Sequence, residues 1–275
     1  MMYKLALKSA LYDFTSARDF YREATRAAGI GMHYDLSIFY IKLQALLLAP
    51  IAPHWSEYIW LDVLGNSYSI QTALFPIVPE QNPSLTAARE YVRWTSSNIT
   101  SAEGAQQKKL AKGKTLQFDP TKDKKLTIFV AQKFPTWQDK CVQVLKEAWH
   151  GAGTGAVLDA KVLSQKFDKA ESKKAMPFVN TLKRRLESGE TAESVFERKL
   201  AFEELVVLKE MVAGLRQSIQ KCRAVEIVNV EEGGKNGKVV GGDGGNDGEE
   251  RSELPQVAET AQPGSPSFQF ENTNA

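Results

Sequence analysis

Apolar residues recur at spacings of three and four along the first hundred residues, which is the pattern of one buried face of an α-helix. The first such run, from Tyr3 to Ala28, predicts a helix that Gly29 ends. Its inward face is predicted to consist of Leu7, Leu11, Phe14, Ala17, Tyr21 and Ala24. Three arginines four residues apart, Arg18, Arg22 and Arg26, fall on another face of the same helix.

Three further helices follow from the same periodicity. One runs from Asp35, as its N-cap, to Ala49 before Pro50, and another runs from Pro53 to Gly65. The fourth is predicted from Ser84 to Ala102. Four helices are enough for a bundle, which we assign to residues 1–105.

The helical spacing of apolar residues ends at Leu126. A short run of β-branched and aromatic residues there predicts a strand from Leu126 to Ala131. Val225–Val230 has the same character, and we expect these two strands to pair. Helices are predicted between them near Thr136–Ala148, Asp159–Phe167, Pro177–Leu186 and Phe196–Gln220. Residues 126–231 are therefore interpreted as a small α/β domain, and the fold class as mainly α.

Charge divides the remaining segments. Residues 106–125 are interpreted as a basic linker because they contain seven lysines: Lys108, Lys109, Lys112, Lys114, Lys122, Lys124 and Lys125. Residues 232–275 are rich in glycine and acids and have few apolar residues, so this tail is predicted to be disordered. Removing the negative charge of residues 231–275 leaves a moderately basic body, which fits a nucleic-acid partner but suits many other proteins.

Catalytic and metal chemistry find little support. His33, His54 and His150 lack a second ligand or nucleophile at useful spacing, although His54 and Glu57 are one helical turn apart. The glycine-rich run 151–155 follows a predicted helix, whereas phosphate-binding loops follow a strand. Two distant cysteines predict neither a zinc site nor a disulfide framework. We therefore expect no catalytic residue, no metal and no cofactor in this chain.

Basic clusters are the remaining candidates for a function. Lysines and arginines bind nucleic-acid phosphates and supply affinity without reading sequence. The candidates are the arginines of the first helix, the lysines of residues 106–125, and a third cluster, Lys183, Arg184 and Arg185, near Lys173 and Lys174. A solvated charged surface is the alternative for each cluster. The tryptophans Trp55, Trp60, Trp137 and Trp149 are expected in the core and not as base-stacking platforms.

Several segments resemble one family. Leu46-Leu-Leu-Ala-Pro-Ile-Ala-Pro-His-Trp-Ser-Glu57, followed by Tyr58-Ile-Trp60, is similar to the anticodon-binding bundle of class I aminoacyl-tRNA synthetases for aliphatic amino acids. Ala17-Arg-Asp-Phe-Tyr-Arg22 narrows the resemblance to the leucine enzyme. Thr127-Ile-Phe-Val-Ala-Gln-Lys-Phe-Pro-Thr-Trp-Gln138 and Lys174-Ala-Met-Pro-Phe-Val179 resemble the C-terminal region of its eukaryotic cytosolic and archaeal type. Pro263-Gly-Ser-Pro-Ser-Phe268 resembles fungal members.

The resemblance implies a tRNA-binding C-terminal part of a cytoplasmic leucine-tRNA ligase, with leucine tRNA as its partner and Arg18, Arg22 and Arg26 facing it. The His-x-Gly-His and Lys-Met-Ser-Lys-Ser signatures, which bind ATP in the whole enzyme, are absent from these 275 residues. We therefore expect a fragment that lacks the catalytic and editing domains and is inactive alone. The alternative is a non-catalytic protein-interaction scaffold that docks other synthetases or regulators. Other synthetases and the missing catalytic part are further candidate partners. No membrane or DNA partner is expected.

Overall fold

The structure is a computed structural model that describes residues 2–78, 80–113, 118–148, 169–187, 191–231, 234–243 and 247–273. The chain divides into two compact units. Unit 1 comprises Met1–Asn82 and Ala213–Ser218, and unit 2 comprises Pro83–Val212 and Ile219–Ala275. The predicted helix at Asp159–Phe167 and the glycine-rich run 151–155 lie outside the described residues.

Unit 1 begins with one continuous helical run, as the apolar spacing predicts. Helix α1 (Tyr3–Leu7) and helix α2 (Phe14–Ala27) are joined by a π-helical stretch, Lys8–Asp13. The widened π turn shifts the helix face relative to strict 3.6-residue spacing. The apolar face is only half-buried, and Ala24 at its end is exposed.

Two shorter helices complete this unit. Helix α3 spans Tyr34–Leu48, and helix α4 (Pro53–Tyr58) continues into a second π-helical stretch, Ile59–Val63. The predicted N-cap is wrong: His33 occupies that position, and Asp35 lies in the first turn, where a carboxylate favours the helix dipole. Gly65 follows the helix end with a φ of 69°, a conformation that glycine adopts without a steric penalty.

The core of unit 1 is a small cluster between α3 and the π-helical stretch after α4. Its buried members are Ala45, Leu46, Trp60 and Ile70. Ile70 starts a 3-10 helix, Ile70–Thr72, and its backbone N–H donates to Glu57 Oε2 at 3.0 Å. That bond gives the Glu57 carboxylate a structural partner.

Helix α5 (Pro83–Ala111) belongs to unit 2 and is longer than predicted. It includes the first six residues of the segment that the sequence indicated to be a linker. Tyr91, Thr95 and Ile99 lie on its buried face. No helix of the described residues is long and apolar enough to cross a membrane.

Strand β1 (Lys124–Ala131) and strand β2 (Cys222–Val230) pair in parallel, with Ile128 opposite Ile227, so the predicted pairing is confirmed. A parallel pair requires a long crossover connection. Helices α6 (Thr136–Ala148), α7 (Lys169–Glu187), α8 (Ala192–Glu197) and α9 (Glu204–Ser218) occupy it. The first three of these helices share an apolar core that includes Cys141, Leu145, Val179 and Val195.

The prediction that residues 232–275 are disordered is wrong. Strand β3 (Gly237–Gly242) pairs with β2, and strand β4 (Glu250–Arg251) pairs with β3, both antiparallel. Strand β5 (Ser267–Asn272) pairs antiparallel with β1, which gives the sheet order β4-β3-β2-β1-β5. A 3-10 helix, Gln256–Thr260, brings Ala258 into the apolar cluster on one face of this sheet.

The glycines of the tail have a structural cause. A Cβ atom at Gly242 would lie 2.2 Å from the Val225 carbonyl oxygen, and this residue has a φ of 120°. A Cβ at Gly237 would lie 2.7 Å from the Asn229 carbonyl oxygen. Glycine therefore lets β3 approach β2 closely and form a bulge. Val239, which lies between these two glycines in β3, is fully buried.

Candidate nucleic-acid interface

The three arginines predicted on the first helix lie on α2, and Arg18 is held there by neighbouring side chains. Its Nη2 donates to Asp19 Oδ1 at 2.7 Å, and its guanidinium carbon lies 5.5 Å from the centre of the Tyr40 ring. Tyr40 in turn stacks on Phe14, with ring centres 4.5 Å apart. The hydrogen bond to Asp19 raises the pKa of Arg18.

Arg22 and Arg26 are more exposed. Arg22 Nη1 lies 3.5 Å from Asp19 Oδ1, and its Nε lies 3.4 Å from Glu23 Oε1. Exposed ion pairs contribute roughly 0 to 1 kcal/mol, so a phosphate can replace either carboxylate at little cost. Arg26 lies in the last turn of α2. The face thus presents three cations next to two carboxylates.

A second group of cations lies at the C-terminal end of α5, in unit 2. Lys108, Lys109 and Lys112 are all exposed there. The partial negative charge of a helix C-terminus favours lysines at this position. Lys114 lies outside the described residues. This end of α5 is a place where several ammonium groups can meet a phosphate backbone.

Lys124 does not belong to that surface. Its side chain has no exposed area, and its ammonium donates to the Glu103 carboxylate on α5 and to the Pro120 carbonyl oxygen. Lys125 is 18% exposed, and its ammonium lies 2.9 Å from Glu226 Oε2, an ion pair without hydrogen-bond geometry. Lys124 is therefore no longer a candidate RNA contact. Lys125 forms an ion pair with the buried Glu226 carboxylate.

The loop before β1 places Lys122 beside two cations that the sequence analysis missed. Lys221 Nζ donates to the Thr121 carbonyl oxygen at 2.6 Å, and Arg223 Nε donates to Asp123 Oδ2 at 2.8 Å. Lys122, Lys221 and Arg223 are exposed. The signal was present in the predicted pairing of the two strands, because parallel pairing places the residues preceding β1 and β2 at the same end of the sheet.

A polar clamp holds this basic loop. Asn272 of β5 accepts from the Asp119 backbone N–H at 2.7 Å and donates to the Asp119 carbonyl oxygen at 2.9 Å. Asp119 also accepts from the Thr121 hydroxyl, and this bond lowers the pKa of the Asp119 carboxyl. The C-terminal strand thus fixes the loop that carries Lys122.

The third predicted cluster lies near the end of α7. Arg184 is exposed, whereas Lys183 and Arg185 are half-buried, and Lys183 Nζ lies 3.8 Å from Glu187 Oε1. The side chains of Lys173 and Lys174 lie outside the described residues. This cluster belongs to the crossover connection, whereas the basic loop with Lys122 precedes β1.

The remaining candidates are the histidines and the tryptophans. Within the described ranges, no three metal-ligating side chains converge. His33 and His54 are exposed. Trp60 is buried and Trp137 packs on Phe178, as predicted, but the core assignment of Trp55 is wrong because it is 42% exposed. His150 and Trp149 lie outside the described residues.

Two family models match the chain. Residues 1–117 match a model described as the anticodon-binding domain of tRNA ligase. Residues 130–199 match a model described as the RagD-binding domain of leucine–tRNA ligase. The two matches follow each other along the chain.

Curated relatives give a consistent picture. The chain is 53% identical over 271 residues to the cytoplasmic leucine–tRNA ligase of Neurospora crassa, and 39% identical over 274 residues to that of Saccharomyces cerevisiae. A putative cytoplasmic leucine–tRNA ligase of Schizosaccharomyces pombe is 41% identical over 283 residues. These alignments cover 98%, 98% and 100% of this chain but 24%, 24% and 25% of the relatives. The chain spans about a quarter of the length of the relatives it matches.

Proposed function

Because this chain belongs to the leucine–tRNA ligase family, as a homologue of the C-terminal part of the cytoplasmic enzymes, we propose that it binds tRNA, with leucine tRNA as its cognate partner. The observation that carries the proposal is the match of residues 1–117 to the anticodon-binding domain of tRNA ligases. The exposed lysines at the end of α5 lie inside that match.

The proposed contacts are electrostatic. The arginines of α2, the lysines at the end of α5 and the basic loop with Lys221 and Arg223 each present cations that are exposed or held in weak surface pairs. Such groups bind phosphates and place the RNA on the protein, whereas sequence is read through base contacts. The proposed role of the chain is therefore to position the tRNA and to add binding affinity, and not to supply a catalytic group.

Leucyl-tRNA aminoacylation is proposed for the longer protein whose C-terminal part this chain matches. ATP is the cofactor of that reaction. Since these 275 residues contain neither class I signature, we propose no catalytic residue among them. The purified chain alone is expected to be inactive in leucine-dependent exchange of pyrophosphate into ATP.

The test is a binding titration of the purified chain against leucine tRNA and a non-cognate tRNA over a salt series. Engaging six to ten phosphates would reduce the affinity by roughly 10³ to 10⁵ between 50 and 200 mM salt. We expect this steep dependence and tighter binding of leucine tRNA. If neither tRNA binds at low salt, the proposal that this chain binds tRNA is wrong.

A second candidate function is binding of a protein partner. It rests on the match of residues 130–199 to the RagD-binding domain of leucine–tRNA ligase. That region contains β1 from Val130 onward, α6, α7 and α8, whose shared apolar core makes it a compact platform. A titration with purified RagD protein tests it: we expect binding that changes little with salt, and no binding would exclude this partner.

A further inference from the structure

An unusual stretch of apolar surface lies near the end of unit 1. Leu74 is 88% exposed, Phe75 62%, Ile77 96% and Val78 63%. The 3-10 helix before them ends at Thr72, and Ala73, which follows it, has a φ of −73° and a ψ of 141°, the values of extended backbone. We define residues 74–78 as the apolar segment.

Single exposed apolar residues are common on protein surfaces, but contiguous ones mark interaction sites. The segment belongs to no helix or strand, and each of its four large apolar side chains is at least 62% exposed. A flat surface would leave part of such a protruding segment uncovered, whereas a groove contacts it from more than one side. Pro76 has a fixed φ, so the segment loses less conformational entropy on docking than a chain without proline.

The surroundings indicate what covers the segment. Of the 24 large apolar side chains that are exposed among the described residues, nineteen lie between Met2 and Val78 in unit 1. The apolar segment lies within the matched anticodon-binding domain, and the relatives that share this domain are about four times as long as the aligned region. In these relatives, about three quarters of the enzyme lies outside the part that matches this chain. That remaining part is available to cover the apolar surface of unit 1.

We propose that the apolar segment docks into an apolar groove on the remaining three quarters of a leucine–tRNA ligase. Leu74, Phe75, Ile77 and Val78 are the anchoring side chains of this interface. The partner is this part of the enzyme, whether it is joined to the chain or supplied separately. This docking does not require tRNA and is tested without RNA.

Cysteine labelling provides the test, because both native cysteines are buried. Ile77→Cys is placed in this chain alone and in a chimera in which the chain replaces the matched quarter of the Neurospora crassa enzyme. Maleimide should modify the variant quickly in the isolated chain and more than about tenfold more slowly in the chimera, because docking must open before the thiol reacts. Val206→Cys is the matched control, since Val206 is 55% exposed in unit 2, and it should react at the same rate in both proteins.

Equal labelling of Ile77→Cys in the two proteins would overturn the proposal. Protection in the isolated chain that grows with protein concentration would also overturn it, by identifying a second copy as the occupant. A second measurement needs no chimera: the chain is titrated against the Neurospora enzyme lacking the matched quarter. Leu74→Ser with Ile77→Ser should weaken that binding by at least about tenfold, because both substitutions remove apolar anchors, and Val206→Ser should leave it unchanged.

Discussion

Glu103 and Lys124 form an ion pair that water hardly reaches, with 7% and 0% of their side chains exposed. Breaking a buried pair by removing one partner costs about 3 to 5 kcal/mol, because the remaining charge is stranded. Glu103→Ala should therefore lower the free energy of unfolding by that amount in urea titrations. Glu103→Leu combined with Lys124→Met should recover most of the loss, since two apolar side chains replace both charges. Equal losses in the single and double variants would contradict this account.

The buried pair of Tyr91 and Glu204 predicts how stability depends on pH. The Tyr91 hydroxyl donates to Glu204 Oε1 at 2.6 Å, and Glu204 Oε2 accepts from the Gly264 backbone N–H at 3.0 Å. Burial raises the pKa of both side chains, and the Glu204 charge raises that of Tyr91 further. The folded state thus keeps the tyrosine proton at a pH where the unfolded chain loses it.

A raised pKa in the folded state stabilises the protein below the unfolded value, and this stabilisation is lost as pH rises. For Tyr91 the loss begins near 10.0, the ordinary pKa of a tyrosine hydroxyl. Its slope approaches about 1.4 kcal/mol per pH unit. Tyr91→Phe should remove this part of the slope above pH 10, although it costs about 1 to 3 kcal/mol at neutral pH by removing the hydroxyl that donates to Glu204. Urea titrations from pH 7 to 11 measure both effects, and parallel curves would refute the assignment.

Strand β5 predicts that the C-terminal tail stabilises the protein. Phe270 is 7% exposed and its ring centre lies 5.2 Å from that of Phe118. Phe270→Ala should lower the free energy of unfolding by about 3 to 5 kcal/mol. Val257→Ala is the control, because Val257 is 41% exposed, and a surface change usually stays within about 0.5 kcal/mol. A Phe270→Ala variant as stable as the control would mean that β5 does not pack on the sheet in solution.

Local patterns predicted the elements whose burial is periodic. The helices of unit 1 and the parallel pairing of β1 with β2 followed from apolar spacing and from β-branched runs. The strands of the tail were not predicted, because the average composition of residues 232–275 hides the few apolar residues that become buried in the sheet. Val239 in β3 and Phe270 in β5 are the buried large apolar side chains of these two strands, and Gly242 serves a close approach that only the tertiary structure reveals.

At the scale of the whole molecule, sequence predicted where cations are concentrated but not which of them face water. Lys122 and Lys124 lie two residues apart in one basic run, yet the first is exposed and the second has no exposed area. Strand geometry decides this, since Lys124 begins β1 and points at Glu103. Lys221 and Arg223 are about a hundred residues away in sequence, so only the pairing of β1 with β2 places them beside Lys122.

This difference in exposure predicts which lysines determine the salt dependence of RNA binding. Replacing Lys108, Lys109 or Lys112 by alanine should lower the slope of log affinity against log salt by about 1 each, since each variant would neutralise one phosphate fewer. The Glu103→Leu, Lys124→Met double variant also removes a lysine of the same basic run, but it should leave the slope unchanged because that ammonium is buried in an ion pair. Titrations with leucine tRNA at five salt concentrations compare the variants. An equal decrease of the slope in all of them would mean that total charge, and not the exposed end of α5, governs binding.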